Sequence, residues 1–190
     1  MNETLRVIKE RRVTRKYKSE QIKDTELENI IEAGLYAPSA NNRQSWNFTV
    51  IQNPELIKEM NDASLEVAKE VAKRFPDGPL KKLSANGAFN VFYEAPTVIL
   101  VSGQDDAIAP LADCSAAMQN MSLAAESIGV GSCWNGLIQV LFKSEAGGQY
   151  KEKLNIPEGN TVHFALLLGY KEATSVNASA RRENTVQYFK

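Results

Sequence analysis

PTVILVSG, residues 96–103, is an unbroken apolar run of strand length that opens on a proline and closes on a glycine. A strand with one wet face alternates apolar and polar side chains, whereas a strand covered on both faces need not. The run therefore predicts a strand held between two layers. Just beyond it, LADCSAAMQNMSLAAESIGVG (111–131) has small or apolar residues around most of a helix's circumference, with Gly129 as a natural C-cap. Such a helix belongs at the centre of the molecule, where a symmetry mate is one surface that could cover it. TVHFALLLG (161–169) reads as a second buried strand.

The flanking segments complete an α+β pattern. WNFTVIQ (46–52) alternates as a strand, with Phe48 and Val50 on one face. NPELIKEMNDASLEVAKEVAKRF (53–75) is a long amphipathic helix with Asn53 as N-cap and Pro54 at its first position. In KDTELENIIEAGLYAPSANN (23–42), Thr25 and Glu28 make a capping box, Leu27, Ile30, Ile31, Gly34 and Leu35 an apolar stripe, and Pro38 a stop. ETLRVIKERR (3–12) and SEAGGQYKEKL (144–154) are shorter helices, and the Gly- and Pro-punctuated Pro76–Ala95 reads as a lid. There is no repeat or linker, and residues 1–190 are expected to form a single domain.

Composition narrows the function. The chain has 190 residues, 43% hydrophobic, with net charge −1 and pI about 6.0, so it carries no overall field for nucleic acid or an anionic membrane. No run approaches the roughly 18–20 apolar residues of a membrane span, and Met1–Glu20 has no apolar core of a signal peptide. A soluble, cytoplasmic protein is expected. Cys114 and Cys133 read as buried reduced thiols, and the lone histidine, His163, as a satisfied core or edge residue. A histidine triad and a histidine-rich metal site are thereby excluded, and no metal site is expected. GVGSCWNG (129–136) follows a helix instead of leading from a strand into one, so it is no dinucleotide fingerprint, and no phosphate-binding P-loop occurs. Chemistry then falls to a bound cofactor.

ERRVTRKYKS (10–19) gathers three arginines and two lysines where Val13 and Thr14 favour an extended chain. Arg11, Val13 and Arg15 then point one way, and Arg12 and Thr14 the other. Three further spots are polar or expose backbone: PSANN (38–42), the glycine-flanked loop GSCWNG (131–136), and Arg181 and Arg182 in the tail SARRENTVQYF (179–189). Paired arginines suit phosphate, short Ser and Asn side chains suit a polyol, and glycine lets backbone N–H groups approach a flat ring. Together these describe flavin mononucleotide (FMN). Taken singly, a basic run is a solvated face and PSANN a turn.

RRVTRKY (11–17), APSANNRQSWNF (37–48), EAPTVILV (94–101), DCSAAMQNMSLAAESIGVGSCWNG (113–136) and FALLLGY (164–170) come in the order and at the intervals of the FMN-dependent nitroreductase family, which the chain resembles over nearly its whole length. The paired signals are R-R-x-x-R-x-[YF] and, further on, A-P-S-x-x-N-x-Q-x-W. The resemblance implies a three-layer α/β/α fold around a central, mostly antiparallel sheet. It also implies a homodimer with a domain-swapped C-terminal tail and two FMN sites at its interface. The activity implied is hydride transfer from NAD(P)H through FMN to a nitroaromatic, quinone or related small-molecule acceptor, in ping-pong order. Reductive dehalogenation, flavin cleavage, or flavin sequestration and redox sensing without turnover are the alternatives.

Residue by residue, the resemblance implies that Arg11 contacts the phosphate, Arg12 the phosphate or ribityl side, with Val13 beside them, and Arg15 the pyrimidine edge. Pro38, Ser39, Ala40 and Asn42 would come from the other subunit. Cys133, Trp134, Asn135 and Gly136 would line the ring, with a backbone N–H near Asn135 directed at N5, the atom that carries the chemistry in place of a catalytic side chain. Arg181, with or without Arg182, would return to the phosphate. The sequence departs from the pattern at Val13 and Ala40, where Ser is common, at Ser45, where Pro is common, and at Asn135, a variable position. A further ring contact falls to Asn86 or Asn90, and the substrate pocket to Lys69–Asn90.

Overall fold

Both faces of the 96–103 run are covered. In the computed structural model, which describes residues 1–75, 77–78, 89–173 and 177–190, β2 (Thr97–Gln104) is buried at every residue but Gln104. It pairs antiparallel with β1 (Trp46–Ile51) on one side and β4 (Asn160–Tyr170) on the other, and β3 (Val130–Asn135) pairs antiparallel with the far edge of β4. The order is β1-β2-β4-β3.

Alternation sorts the side chains into two cores. Val98, Leu100, Ala165 and Leu167 join Ile57 and Met60 of α3 (Pro54–Arg74), Leu141 of α5 (Gln139–Phe142) and Tyr150 of α6 (Ala146–Lys153). Ile99, Val101, Leu166 and Leu168 join Ile30 of α2 (Asp24–Leu35) and Met118 and Met121 of α4 (Pro110–Ser127). Each fully buried aliphatic contributes roughly 1.5–3 kcal/mol, so a polar residue at Ile99 or Leu100 would forfeit that and find no water. This is the expected three-layer α/β/α sandwich with an antiparallel sheet.

α2 and α4 meet at Gly34, where an added Cβ would lie 2.8 Å from Met121 Cγ. Asn120 fixes the crossing by donating to the Ala33 carbonyl at 3.0 Å. The end of α2, and so the loop that follows it, is therefore held against α4. Asn53 caps α3 as expected, and Gly129, at φ +83°, ends α4.

Four expectations are corrected or limited. The capping interaction of α2 uses Lys23 and Glu26 in place of Thr25 and Glu28: the Glu26 carboxylate accepts the Lys23 N–H at 2.9 Å. Ile22 and Leu27 flank that start on the same core, a hydrophobic staple that sets the entry point. GSCWNG is strand β3 through Asn135, because its backbone completes the ladder to β4 and Val130 and Cys133 face the two cores. His163 is not satisfied: it sits at a β-bulge opposite Val101 and Ser102, and its Nε2 is buried without a hydrogen-bond partner among the described residues. Much of the lid expected over Pro76–Ala95, including Asn86, lies outside the described residues.

Candidate functional site

α1 (Glu3–Glu10) stops at Arg11, and the chain continues as an extended ribbon against the outer edge of β3. Val13 bridges Ser132 in parallel, the Thr14 N–H donating to the Ser132 carbonyl at 2.9 Å, and Tyr17 bridges Lys171. The docking is close because residue 131 has no side chain. A Cβ there would lie 2.8 Å from Thr14 Cγ2 and Oγ1. Tyr17 packs against the core and donates to the Thr14 carbonyl at 2.7 Å, with burial pushing its phenol pKa well up.

The ribbon brings the guanidinium groups of Arg11 and Arg15 to Cys133. Burial pushes that thiol above its ordinary value, while the charge of Arg15, its hydrogen bond and then the charge of Arg11 pull the other way. Arg15 also lies over the Tyr93 ring, 5.6 Å from its centroid. Arg12 points elsewhere. Its Nη1 donates to the Lys9 and Arg11 carbonyls, both at 2.7 Å, closing the C-terminal end of α1. Its Nε is buried without a hydrogen-bond partner among the described residues. Among the described residues no carboxylate pairs with Arg11, Arg12 or Arg15. Three cations with an orphaned buried donor among them are what a bound anion would satisfy. Val13, 39% exposed, brings no hydroxyl to them.

The loop after α2 has an unusual backbone. Asn41, Asn42 and Gln44 all take φ between 50° and 53°, a region that asparagine tolerates and glutamine visits rarely. Inside it, Ser39 Oγ accepts the Gln44 N–H at 2.9 Å and Asn42 Oδ1 accepts Gln44 Nε2 at 3.3 Å. Pro38 is exposed at its start. Beneath it lies Asp113 in the first turn of α4, only 3% exposed. One carboxylate oxygen accepts the Ala40 N–H at 2.9 Å and the other the Ser45 hydroxyl at 2.7 Å. Sequence reasoning gave Asp113 no role, although an acid in the first turn of a largely small and apolar helix was a visible signal.

At the end of β3, Trp134 stays 37% exposed with its ring edge-on to Phe164, centroids 4.9 Å apart. Asn135 is buried and committed: Nδ2 donates to the Val91 carbonyl at 2.6 Å and Oδ1 accepts the Leu137 N–H at 2.7 Å. Asn61 of α3, also missed by the sequence reading, accepts the Val91 N–H at 2.8 Å. Two asparagines thus clamp one residue, and the turn beyond it takes positive φ at Tyr93 (52°) and Glu94 (58°), setting Tyr93 under Arg15. Asn90 spends its carbonyl on the Phe92 N–H. Gly136 is exposed, with open space where a Cβ would stand. Arg181 and Arg182 are exposed in residues 177–190, which have no regular structure.

No group of His, Cys, Asp and Glu that could hold a metal occurs among the described residues, nor a helix long and apolar enough to cross a membrane. Cys114 is buried on the other core, its thiol pushed up to about 12 by burial and then by Asp113.

Comparison with known proteins bears on this arrangement. The sequence model of the Nitroreductase family matches residues 8–170. An Archaeoglobus fulgidus protein assigned as an NADH dehydrogenase/NAD(P)H nitroreductase is 33% identical over 170 residues, 90% of this chain and 86% of that protein. The crystal structure of a nitroreductase with bound FMN from Bacteroides fragilis superposes with TM-score 0.89 at 31% identity, covering 100% of both chains. That of a nitroreductase with bound FMN from Desulfitobacterium hafniense gives TM-score 0.86, again at 31% identity and 100% of both chains. The chain belongs to the nitroreductase family of flavin oxidoreductases.

Proposed function

We propose that this chain is a cytoplasmic, FMN-dependent oxidoreductase, one domain over residues 1–190, that passes hydride from NAD(P)H to a nitroaromatic, quinone or related small acceptor. The observation that carries the reading is the ribbon of Arg11, Arg12 and Arg15, docked on β3 with no carboxylate partner among the described residues. Bound FMN in the two solved relatives agrees with it.

Arg11 would hold the phosphate. Arg12, with Nη1 already spent on carbonyls, keeps Nε and Nη2 for the phosphate or ribityl side. Arg15 would set a fixed positive charge at the pyrimidine edge, with the Tyr93 face restraining it. When bound, FMN supplies a ring atom, N5, that takes up and returns hydride. The chain's share is orientation: Cys133, Asn135 and Gly136 present a strand end whose backbone is fixed by the β4 ladder and the Asn135 clamp. No acid or base is assigned. Burial holds the His163 pKa below its usual value, against an opposing pull from Asp105 and with a smaller push from Lys143, and the ring lies on the α4 side of the sheet near Gly103 and Cys114.

A homodimer completes the reading, with Pro38, Ser39, Ala40 and Asn42 of one subunit over the flavin of the other, and Arg181 or Arg182 arriving on a swapped tail. Exposed apolar side chains support it: Leu5 (50%), Ile8 (48%), Leu111 (52%), Tyr188 (79%) and Phe189 (94%). With one pocket serving donor and acceptor in turn, kinetics would be ping-pong. The test is anaerobic mixing of the purified protein with NADH and with NADPH while flavin absorbance is followed. Bleaching by either, and recovery on adding a nitroaromatic or quinone, is expected. A protein that binds no added FMN overturns the proposal, and one that binds it but is never reduced makes it a flavin carrier.

A further inference from the structure

We infer that Asp113 is a positioning residue, whose carboxylate clasps Ala40 and Ser45 and thereby holds the 39–45 loop in the one shape that receives FMN. The inference rests on the proposed FMN reading. Its physical basis is the cost of the loop itself. Three residues at positive φ, one of them Gln44, persist only where the surroundings over-determine them. The internal ties, Ser39 Oγ to Gln44 N–H and Asn42 to Gln44, close the loop on itself without fixing it to the body. Two attachments do that. One is at the surface, where Arg43 reaches Gln104 and Asp106 and the Gln104 N–H meets the Ser45 carbonyl. The other is the buried carboxylate.

Asp113 takes one bond on each oxygen, from a backbone N–H near the loop's start and a hydroxyl at its end. A carboxylate is suited to this: it is an acceptor only, with two oxygens, and it lies in the first turn of α4, where helix N–H groups favour negative charge. Ser45 is needed because its hydroxyl is the second donor, and the proline that the related Q-P-W pattern has at this position would supply none.

The test compares Asp113→Ala, Asp113→Asn and Ser45→Ala with the wild type by FMN titration and by amide hydrogen exchange of residues 39–45 without FMN. Asp113→Ala, which removes both acceptors, should weaken FMN by about tenfold or more and speed exchange of the loop amides. Asp113→Asn should stay within about threefold, because Oδ1 can still accept the Ala40 N–H and Nδ2 can donate to Ser45 Oγ. Ser45→Ala should fall between them and add nothing in the Asp113→Ala background. If Asp113→Ala does not fold, Ser45→Ala and Asp113→Asn decide: a weakened Ser45→Ala beside a near-normal Asp113→Asn supports the clasp. Wild-type affinity and exchange in Ser45→Ala, or in a folded Asp113→Ala, overturn it, as does Asp113→Asn weakening FMN as much as Asp113→Ala. A wild type that binds no FMN overturns the proposed function alone. The exchange arm then decides the clasp: faster loop exchange in Asp113→Ala supports it and unchanged exchange overturns it.

Discussion

Gly131→Ala should loosen the arginine ribbon without touching an arginine. The φ of Gly131 lies outside the left-handed region, so alanine is allowed there and the cost is steric. The new methyl would sit 2.8 Å from two side-chain atoms of Thr14 and 2.9 Å from Lys171 Cγ. Lys171 can swing aside. Thr14 cannot do so readily, because a β-branched side chain has few rotamers and its own N–H is bonded to Ser132. Overpacking of this kind costs about 1–3 kcal/mol. Against it stand the bonds that seat the ribbon: Thr14 to Ser132, Lys18 to Tyr170 and Glu172 to Lys16, each about 0.5–1.5 kcal/mol net. The two sums are comparable, so the ribbon shifts and strains but does not come free, and Arg11 and Arg15 lose their register on Cys133. FMN affinity measured by fluorescence titration should fall roughly 5- to 100-fold, taking about 1.4 kcal/mol per factor of ten. Adding Thr14→Ala removes Cγ2 and Oγ1 and should restore most of the loss. Wild-type affinity in Gly131→Ala, or no recovery in the double variant, would refute the argument that close docking over residue 131 places the arginines.

Arg15→Ala should slow reduction of the bound flavin by roughly tenfold to a hundredfold in stopped-flow measurements, whereas His163→Gln should change it by no more than a few fold; the reverse pattern would identify His163 as a general acid. Tyr93→Leu removes the face under Arg15 and should weaken FMN only about two- to fivefold, the size of an exposed cation–π contact, with Tyr93→Phe near wild type in the same titration. The hydrogen bond from Tyr170 holds the Glu26 carboxyl below its ordinary pKa of 4.5. The stability from that bond is fully present above pH 4.5 and is lost as pH falls through the lower folded value, so urea melts of wild type and Tyr170→Phe should converge in acid. Sedimentation should show an obligate dimer, whose interface is expected to exceed the roughly 2,000 Å² of permanent pairs; a folded, FMN-loaded monomer at micromolar concentration would contradict it.

Local pattern carried most of the architecture. Val98 to Val101 read as doubly covered because no polar residue interrupts them, and Asn53, Pro54 and Gly129 marked helix ends by chemistry that acts within one turn. What failed was decided by packing, most of it at long range. GSCWNG looked like a loop because glycine and serine are poor strand formers, yet Gly131 is there so that Thr14 can pack on it, and the Ser132 carbonyl takes a bond from the ribbon. The start of α2 offered two acid-bearing frames, and the staple of buried Ile22 and half-buried Leu27 selected the earlier one. Asp113 was passed over because both of its partners, Ala40 and Ser45, belong to a loop well before it in sequence.

The site shows the same division between residue type and residue duty. Ser39, Asn42, Asn90, Asn135 and Arg12 all have the chemistry of ligand-binding groups, and each is bonded within the protein. What they have left is lopsided. Ser39 Oγ and Asn42 Oδ1 already accept bonds from Gln44, so the Ser39 hydroxyl and Asn42 Nδ2 remain as donors. Arg12 keeps Nε and Nη2, and Arg11 and Arg15, with no carboxylate partner among the described residues, keep most of their forks. Arg12 Nη1 and Asn135 Nδ2 are spent on carbonyls, yet what the scaffold leaves over is mostly donors. Groups with that remaining capacity discriminate by need, favouring a ligand rich in acceptor oxygens and negative charge over one that must donate, and a phosphate on a polyhydroxyl chain meets that condition where a cation or an amine does not.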